Sequence, residues 1–238
     1  MNKNGLPVYA VILAGGRGSR MGSETPKQFI KVLGVPILIR SVQKFLSASA
    51  VDGVICSVPT CYKKFTSELL IEYDIDTSRV EITDGGADRS DSLKKAVEYL
   101  AKTKRLDSIV LTHDAVRPLI DERIINDNIA AATDFGACNT CIAATDTVFI
   151  SADGRFISEV PDRATVFHAQ TPQSFYAKKL YELIFATPPA DFNKMTDGCS
   201  VFTYHGLPVA MVNGSQNNIK ITYPDDIEKA EIIINKTR

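Results

Sequence analysis

The first apolar run of the chain, Val8 to Leu13, contains no charged position and opens into a glycine-bearing stretch at Gly15 and Gly16. A strand without polar alternation is buried on both faces, so this run predicts a central parallel strand that ends in a loop. Apolar runs recur at Gly53 to Val58, Val80 to Thr83 and Ser108 to Thr112, and the segments between them carry helical spacing. Strands alternating with helices predict an α/β fold with a doubly wound, mostly parallel sheet. The clearest helix is Asp91 to Lys102, where Leu93, Ala96, Val97, Leu100 and Ala101 line one face and Ser90 or Asp91 can cap the start.

Between Ala143 and Gln170 the pattern changes to short β-like pieces joined by a turn at Ala152-Asp153-Gly154-Arg155, with no helix between them. This predicts a β-arm at about 145–172, projecting from a single domain that spans 1–238. The chain closes with a strand expected at Asn218 to Thr222. A helix follows, opened by Pro224 with Asp225 and Asp226 in its first turn and Lys236 and Arg238 near its end.

Composition narrows the function classes. Hydrophobic residues at 45% and charged residues at 23% are values of a chain that folds alone, which argues against disorder and low complexity. A net charge of -1 supplies no global field for a nucleic-acid backbone or an anionic membrane, so any anion binding must come from a local cluster. The N-terminal apolar run is too short for a signal-peptide core and no stretch approaches membrane-spanning length, so cytoplasm is expected. Five cysteines, an odd number in a chain of this size, fit a reducing compartment. Cys138 and Cys141 form a C-x-x-C within a strand-like segment. They read as core thiols or, less well, as a metal or redox pair, because no second pair stands at zinc-site spacing.

The loop after the first strand reads Leu13-Ala14-Gly15-Gly16-Arg17-Gly18-Ser19-Arg20-Met21-Gly22, followed by Pro26-Lys27-Gln28. A glycine-rich turn at a strand's carboxyl end brings backbone N–H groups close to a ligand, and such groups favour phosphate oxygens. Arg20 and Lys27 add positive charge suited to a triphosphate whose charge shifts during reaction. Two competitors fail on spacing. A Walker loop needs a Lys-Ser or Lys-Thr pair where Gly22 is followed by Ser23. A dinucleotide fingerprint would meet Met21 at its third glycine and lacks an acidic residue ending the second strand. The remaining alternative is a loop that uses glycine only for tight turning.

These residues resemble the opening of the sugar-phosphate cytidylyltransferases, the family of methylerythritol-phosphate and ribitol-phosphate cytidylyltransferases. The resemblance continues through Gly85-Gly86-Ala87-Asp88-Arg89-Ser90-Asp91-Ser92, His113-Asp114-Ala115-Val116-Arg117-Pro118, Asp162-Arg163, Gln170-Thr171-Pro172-Gln173 and Asn218-Ile219-Lys220-Ile221-Thr222, nearly the whole chain. It implies that Leu13, Ala14, Gly15, Gly16 and Gly18 with Gly86, Ala87, Arg89 and Ser92 bind CTP. It implies too that Asp114 helps hold Mg2+, and that Asp114, Arg117, Thr147 and Thr171 serve the acceptor. Arg163 and Lys220 would position the acceptor phosphate, and the arm would cross a twofold axis, making a homodimer in which Arg163 acts in the partner's site.

The reaction implied is CMP transfer from CTP to a polyol phosphate, with Arg20, Lys27, Arg163 and Lys220 as the catalytic cations. Val116, Pro161 and the Asp197-Gly198-Cys199-Ser200 stretch incline the acceptor to D-ribitol 5-phosphate over 2-C-methyl-D-erythritol 4-phosphate. A binding protein that keeps CTP but has lost turnover is the alternative of another class. His113, His168 and His205 share no spacing of a metal site or triad and read as packing or surface residues.

Overall fold

Every residue of strand β1 (Val8–Leu13) except Tyr9 is buried, as a run without polar alternation requires. The computed structural model describes residues 5–16 and 25–237. Its main sheet has seven strands in the order β5 (Val80–Asp84), β4 (Gly53–Val58), β1, β6 (Ile109–Asp114), β8 (Phe167–Tyr176), β7 (Ala137–Ala143) and β9 (Ala210–Asn213). A separate two-stranded ribbon joins β2 (Lys31–Val32) to β3 (Val35–Pro36). The pairs β1–β4, β1–β6, β4–β5 and β7–β9 are parallel, while β8 runs antiparallel to both β6 and β7.

Helices cover both faces. Val8, Ala10 and Ile12 of β1 pack with Leu38, Ile39, Val42 and Phe45 of α1 (Ile37–Ser47), Leu69 and Leu70 of α2 (Lys63–Glu72) and Ile124, Ile125 and Ile129 of α4 (Glu122–Phe135). Val11 and Leu13 point the other way, toward α3 (Arg89–Lys102), α5 (Ala177–Ala186) and α7 (Gly198–Tyr204), where Leu93, Val97, Leu180, Val201 and Phe202 close the second core. Truncating one of these fully buried leucines to alanine would cost about 2–5 kcal/mol. Phe192, on the short α6 (Pro189–Phe192), joins that second core, and α8 (Asp225–Thr237) packs Ala230 against Val32, Ile37, Val116 and Ile221. Among the described residues no helix is long and apolar enough to cross a membrane.

The winding places the site. From β1 the chain moves outward through β4 and β5, then returns to β6 on the other side of β1. The carboxyl ends of β1 and β6 therefore flank a topological switch point, the place where open α/β sheets bind ligands.

Three expectations are corrected. Helix α3 is capped by Asp88, whose carboxylate accepts from the Asp91 N–H at 2.8 Å. Ser90 instead donates to the Met195 carbonyl, and the Asp91 carboxylate accepts from the Ala87 N–H. Residues 218–222 form no ladder strand: their main-chain link to the sheet side is the Ile221 N–H to the Val116 carbonyl, and side chains supply the rest. The Asn218 amide donates to Thr171 O, and the Asp226 carboxylate accepts from the Thr222 and Tyr223 N–H groups. Finally, β8 belongs to the main sheet from Phe167 onward, so the arm is the narrower stretch 144–166. Within it a bridge pairs Ile150 with Glu159 around a turn whose Asp153 carboxylate accepts from the Arg155 and Phe156 N–H groups.

Cys138 and Cys141 are buried free thiols on β7, on either side of a register irregularity. Burial pushes both up, Cys138 to about 12.

Candidate active site

The loops at the carboxyl edge are locked to one another by the main chain. The Ala14 N–H donates to Ser57 O at 2.9 Å, the Ala115 N–H to Leu13 O at 3.0 Å, and the Gly85 N–H to Val58 O at 2.7 Å. The ends of β1, β4, β5 and β6 thus open onto one side. The buried Gln28, on a 3-10 turn over Lys27–Phe29, donates from Nε2 to Ala14 O at 2.9 Å and fixes the peptide that leads into Gly15.

Two glycines are required by close approach. A Cβ on Gly15 would lie 2.8 Å from Ser92 Oγ, and one on Gly86 would overlap the Asp91 carbonyl carbon and the Ser92 nitrogen. Ser92 braces the second turn, its hydroxyl donating to Asp88 O at 2.7 Å and accepting from the Gly86 N–H at 2.9 Å, and the Gly15 turn packs against that same hydroxyl. Any side chain at either position would push the glycine turn off the α3 N-terminus, and the positive end of that helix adds to the anion-favouring character of the edge.

A cleft at this edge is lined by Leu13, Ala14, Gly15, Gly16, Lys27, Gln28, Asp88, Arg89, Ser92, Asp114, Ala115, Val116 and Lys220. Asp114 sits at its floor, its carboxylate shared by Arg89 Nε at 3.1 Å and Lys220 Nζ at 2.8 Å. Burial alone would raise the Asp114 pKa, but Arg89, Lys220 and Arg117 outweigh it and hold the carboxyl well below the ordinary carboxylate range. The cleft lining therefore carries two carboxylates, Asp88 and Asp114, against three cations, Lys27, Arg89 and Lys220, a small local excess of positive charge in a chain of near-zero net charge.

Other sequence-predicted residues are placed elsewhere. Thr171 is buried, its hydroxyl accepting from the Asp114 N–H at 3.1 Å and bonded to His113 Nδ1 at 3.0 Å. His113 Nε2 lies 3.0 Å from Arg117 O, and burial pushes His113 down to about 4. Arg117 does not line the cleft; it is buried behind it, donating from Nη1 to Asn218 O at 2.7 Å, and desolvation lowers its pKa. Ala87 faces an adjoining groove beside α5 and α6. Thr147 and Arg163 are on the exposed arm, where Arg163 Nη1 reaches Thr145 O at 3.3 Å. Gly18 and Arg20 lie outside the described residues.

The cleft also uses residues that sequence reasoning did not assign to it: Gln28, Asp88 and Ala115. Asp88 left a signal, an acidic residue just before a helix; the burial of a polar Gln28 leaves none.

A family model described as 2-C-methyl-D-erythritol 4-phosphate cytidylyltransferase matches residues 8–236. Among solved structures, the 4-diphosphocytidyl-2C-methyl-D-erythritol synthase of Anaerococcus prevotii is 28% identical with a TM-score of 0.81, covering 98% of this chain and 97% of its own. The 2-C-methyl-D-erythritol 4-phosphate cytidylyltransferase of Francisella tularensis is 26% identical with a TM-score of 0.79, covering 95% and 99%. The enzyme of that name from Thermus thermophilus is 25% identical with a TM-score of 0.74, covering 99% and 100%. These matches carry the methylerythritol name, and they do not support the ribitol preference. The residues behind that preference share no single pocket: Val116 lines the cleft and packs against the α8 cluster, Pro161 is on the arm, and Cys199 lies against Gln173. The fold, the phosphate-suited cleft and a match over almost its full length place the chain in the 2-C-methyl-D-erythritol 4-phosphate cytidylyltransferase family of CTP-dependent nucleotidyltransferases.

Proposed function

We propose that the enzyme transfers CMP from CTP to the phosphate of 2-C-methyl-D-erythritol 4-phosphate, releasing pyrophosphate, in the cytoplasm. The observation that carries this reading is the cleft itself, where the glycine turn meets Lys27, Arg89, Asp114 and Lys220 at the switch point of the sheet. The acceptor reading is taken from the family and its solved members.

The chemistry needs no general base. An acceptor phosphate oxygen, already anionic at neutral pH, attacks the α-phosphorus; the bond from that phosphorus to the bridging oxygen breaks, and pyrophosphate leaves with the electron pair. His113 is unsuited to proton transfer, since burial holds it neutral and both ring nitrogens are engaged. The protein's task is to bring two polyanions together and stabilise charge at the α-phosphorus. Backbone N–H groups at Gly15 and Gly16 would cradle the triphosphate, and the Gly86–Ser92 turn would take the nucleoside. Lys27, together with Arg20, would stabilise the α-phosphate and the leaving pyrophosphate. Lys220 would bind the acceptor phosphate from within the chain.

Asp114 is the residue that would hold Mg2+. Each of its oxygens accepts one bond, leaving lone pairs for an ion, and Mg2+ is commonly held by one or two carboxylates plus substrate phosphates. That mode suits the donor set, since the described residues contain no cluster of three or more His, Cys, Asp or Glu. When bound, the ion would neutralise triphosphate charge.

Arg163 would complete the acceptor site of a second copy. The arm that carries it exposes Phe149, Ile150, Phe156, Ile157 and Val160, an apolar surface suited to pairing with its twofold mate across a homodimer.

Steady-state assays of pyrophosphate release from CTP test the acceptor. Turnover with methylerythritol phosphate at a kcat/KM well above that with ribitol 5-phosphate is expected, and the reverse preference would overturn the assignment.

A further inference from the structure

Arg89 is the first residue of α3, where a cation meets the positive end of the helix dipole. Its guanidinium is held against that cost by three acceptors: Asp114 Oδ1 at 3.1 Å, the Thr196 carbonyl at 3.0 Å and Gln173 Oε1 at 3.1 Å. Only the first belongs to the cleft. The other two come from the far side, from β8 and from the turn that precedes α7.

Gln173 is 1% exposed, so no water can substitute for a lost partner. At one end of its amide, Oε1 accepts from Arg89 Nη2 and from the Gly198 N–H at 3.3 Å. At the other end, Nε2 faces acceptors: Asp197 Oδ2 at 2.8 Å, Asn139 Oδ1 at 3.0 Å and Cys199 Sγ at 3.2 Å. Turning the amide over would set donor against donor at Arg89 and acceptor against acceptor at Asp197, so only one orientation is satisfied. Asp197 enforces it. Its Oδ1 caps α7 by accepting from the Ser200 N–H and hydroxyl, which leaves Oδ2 for Gln173. Burial pushes the Asp197 carboxyl up, but the bonds from Ser200 and Gln173 hold it below the ordinary value, so it stays an acceptor.

We propose that Gln173 is a positioning residue for the nucleotide: oriented by Asp197, it holds the Arg89 guanidinium at the wall of the cleft in the pose that meets CTP. The proposal rests on reading the cleft as the CTP site. It makes the turn at 196–200, which does not line the cleft, a determinant of nucleotide affinity.

The test uses the full-length enzyme with Gln173→Glu, Asp197→Asn and the double variant. In the first, a carboxylate oxygen meets Asp197 with no proton between them. In the second, the α7 cap keeps the oxygen of the new amide toward Ser200, so the nitrogen of that amide confronts the Gln173 nitrogen. In the double variant the amide introduced at position 197 donates to the carboxylate introduced at position 173, whose other oxygen accepts from Arg89. Once the Asn139 amide turns over to present its nitrogen to the new carboxylate, the network is satisfied with its polarity reversed at the Asp197 end. Each single change is expected to raise KM for CTP roughly tenfold, with KM for the acceptor unchanged and kcat moved less. The double variant is expected to return KM for CTP to within about threefold of the wild type. Unaltered CTP KM in folded single variants, a shift in acceptor KM instead, or a double variant no better than the singles would each overturn it. Should Gln173→Glu fail to fold, Asp197→Asn, at a half-buried turn, carries the same measurement. Calorimetry of the wild type with CTP separates the two readings. No binding there would overturn the CTP site itself, whereas wild-type binding with unchanged variants overturns only the role of Gln173.

Discussion

The cleft and the arm handle polarity in opposite ways. At the cleft, Asp114, Arg89 and Lys220 bond to one another and to Gln173 and Thr171 buried behind them, all within a single chain, and the core beyond is closed. On the arm, Phe156 is 76% exposed and Ile157 58%, and the exposed Arg163 guanidinium reaches the Thr145 carbonyl at 3.3 Å. Preorganised charge is what phosphoryl chemistry needs before substrate arrives, and it can be built in one chain because buried networks hold themselves in place. An exposed apolar ribbon does not repay the entropy of ordering it until something covers it. The cleft is therefore preorganised within one chain, and the arm is where the proposed pairing with a second copy would act.

The sharpest way to break this comparison is at Lys27. Lys27→Ala is expected to lower kcat by about 100-fold or more, as loss of a transition-state cation does. Because a loop cation contributes little to folding, the thermal midpoint should move by no more than about 2 °C. A turnover number equal to the wild type would remove Lys27 from the mechanism.

A hybrid experiment sharpens the comparison next. Arg163→Ala and Lys220→Ala should each be nearly inactive alone. Mixed and allowed to exchange, they should regain about a quarter of wild-type activity, since half the dimers are hybrids and each hybrid holds one intact site if Arg163 acts across the twofold axis. No recovery, with exchange shown by mass measurement, would place Arg163 in its own chain's site or in none.

The smallest effect concerns the segment that carries Lys220. Asp226 accepts from the Thr222 and Tyr223 N–H groups; burial pushes its carboxyl up, but those bonds and Lys229 leave it below the ordinary value. Its folded pKa is thus depressed, so its stabilisation is present above the unfolded pKa of about 4 and is lost as pH falls toward the folded value. Asp226→Ala is expected to cost about 1 kcal/mol at pH 7, shrinking below about pH 4, as read from urea midpoints across that range. A cost independent of pH would show that the ionised carboxylate is not what holds the segment.

Much of this is legible in the chain as a string. The runs at Val8–Leu13 and Gly53–Val58 are strands with those same bounds, because burial on both faces leaves an unbroken apolar signature. Leu13, Ala14, Gly15, Gly16, Arg89, Ser92, Asp114 and Lys220 line the cleft together, as strand-end loops of a doubly wound sheet must converge on one edge. The strand expected at 218–222 is where the string misleads: Ile219 and Ile221 alternate with polar neighbours, but side chains of Asn218 and Asp226 make the bonds that a ladder would have made.

What the sequence by itself determined is the order of elements, the edge at which phosphate chemistry must sit and the family that the ordered motifs resemble. These follow from periodicity and from residue types that are costly anywhere else. Only the tertiary structure decided that Arg117 is spent behind the cleft rather than in it, that Arg89 and Lys220 share Asp114, and that Gln173 and Asp197 stand behind Arg89. A buried polar residue and an exposed one are written with the same letter; what separates them is which partner the fold brings within about 3 Å, and that depends on chain segments 24 to 107 residues apart.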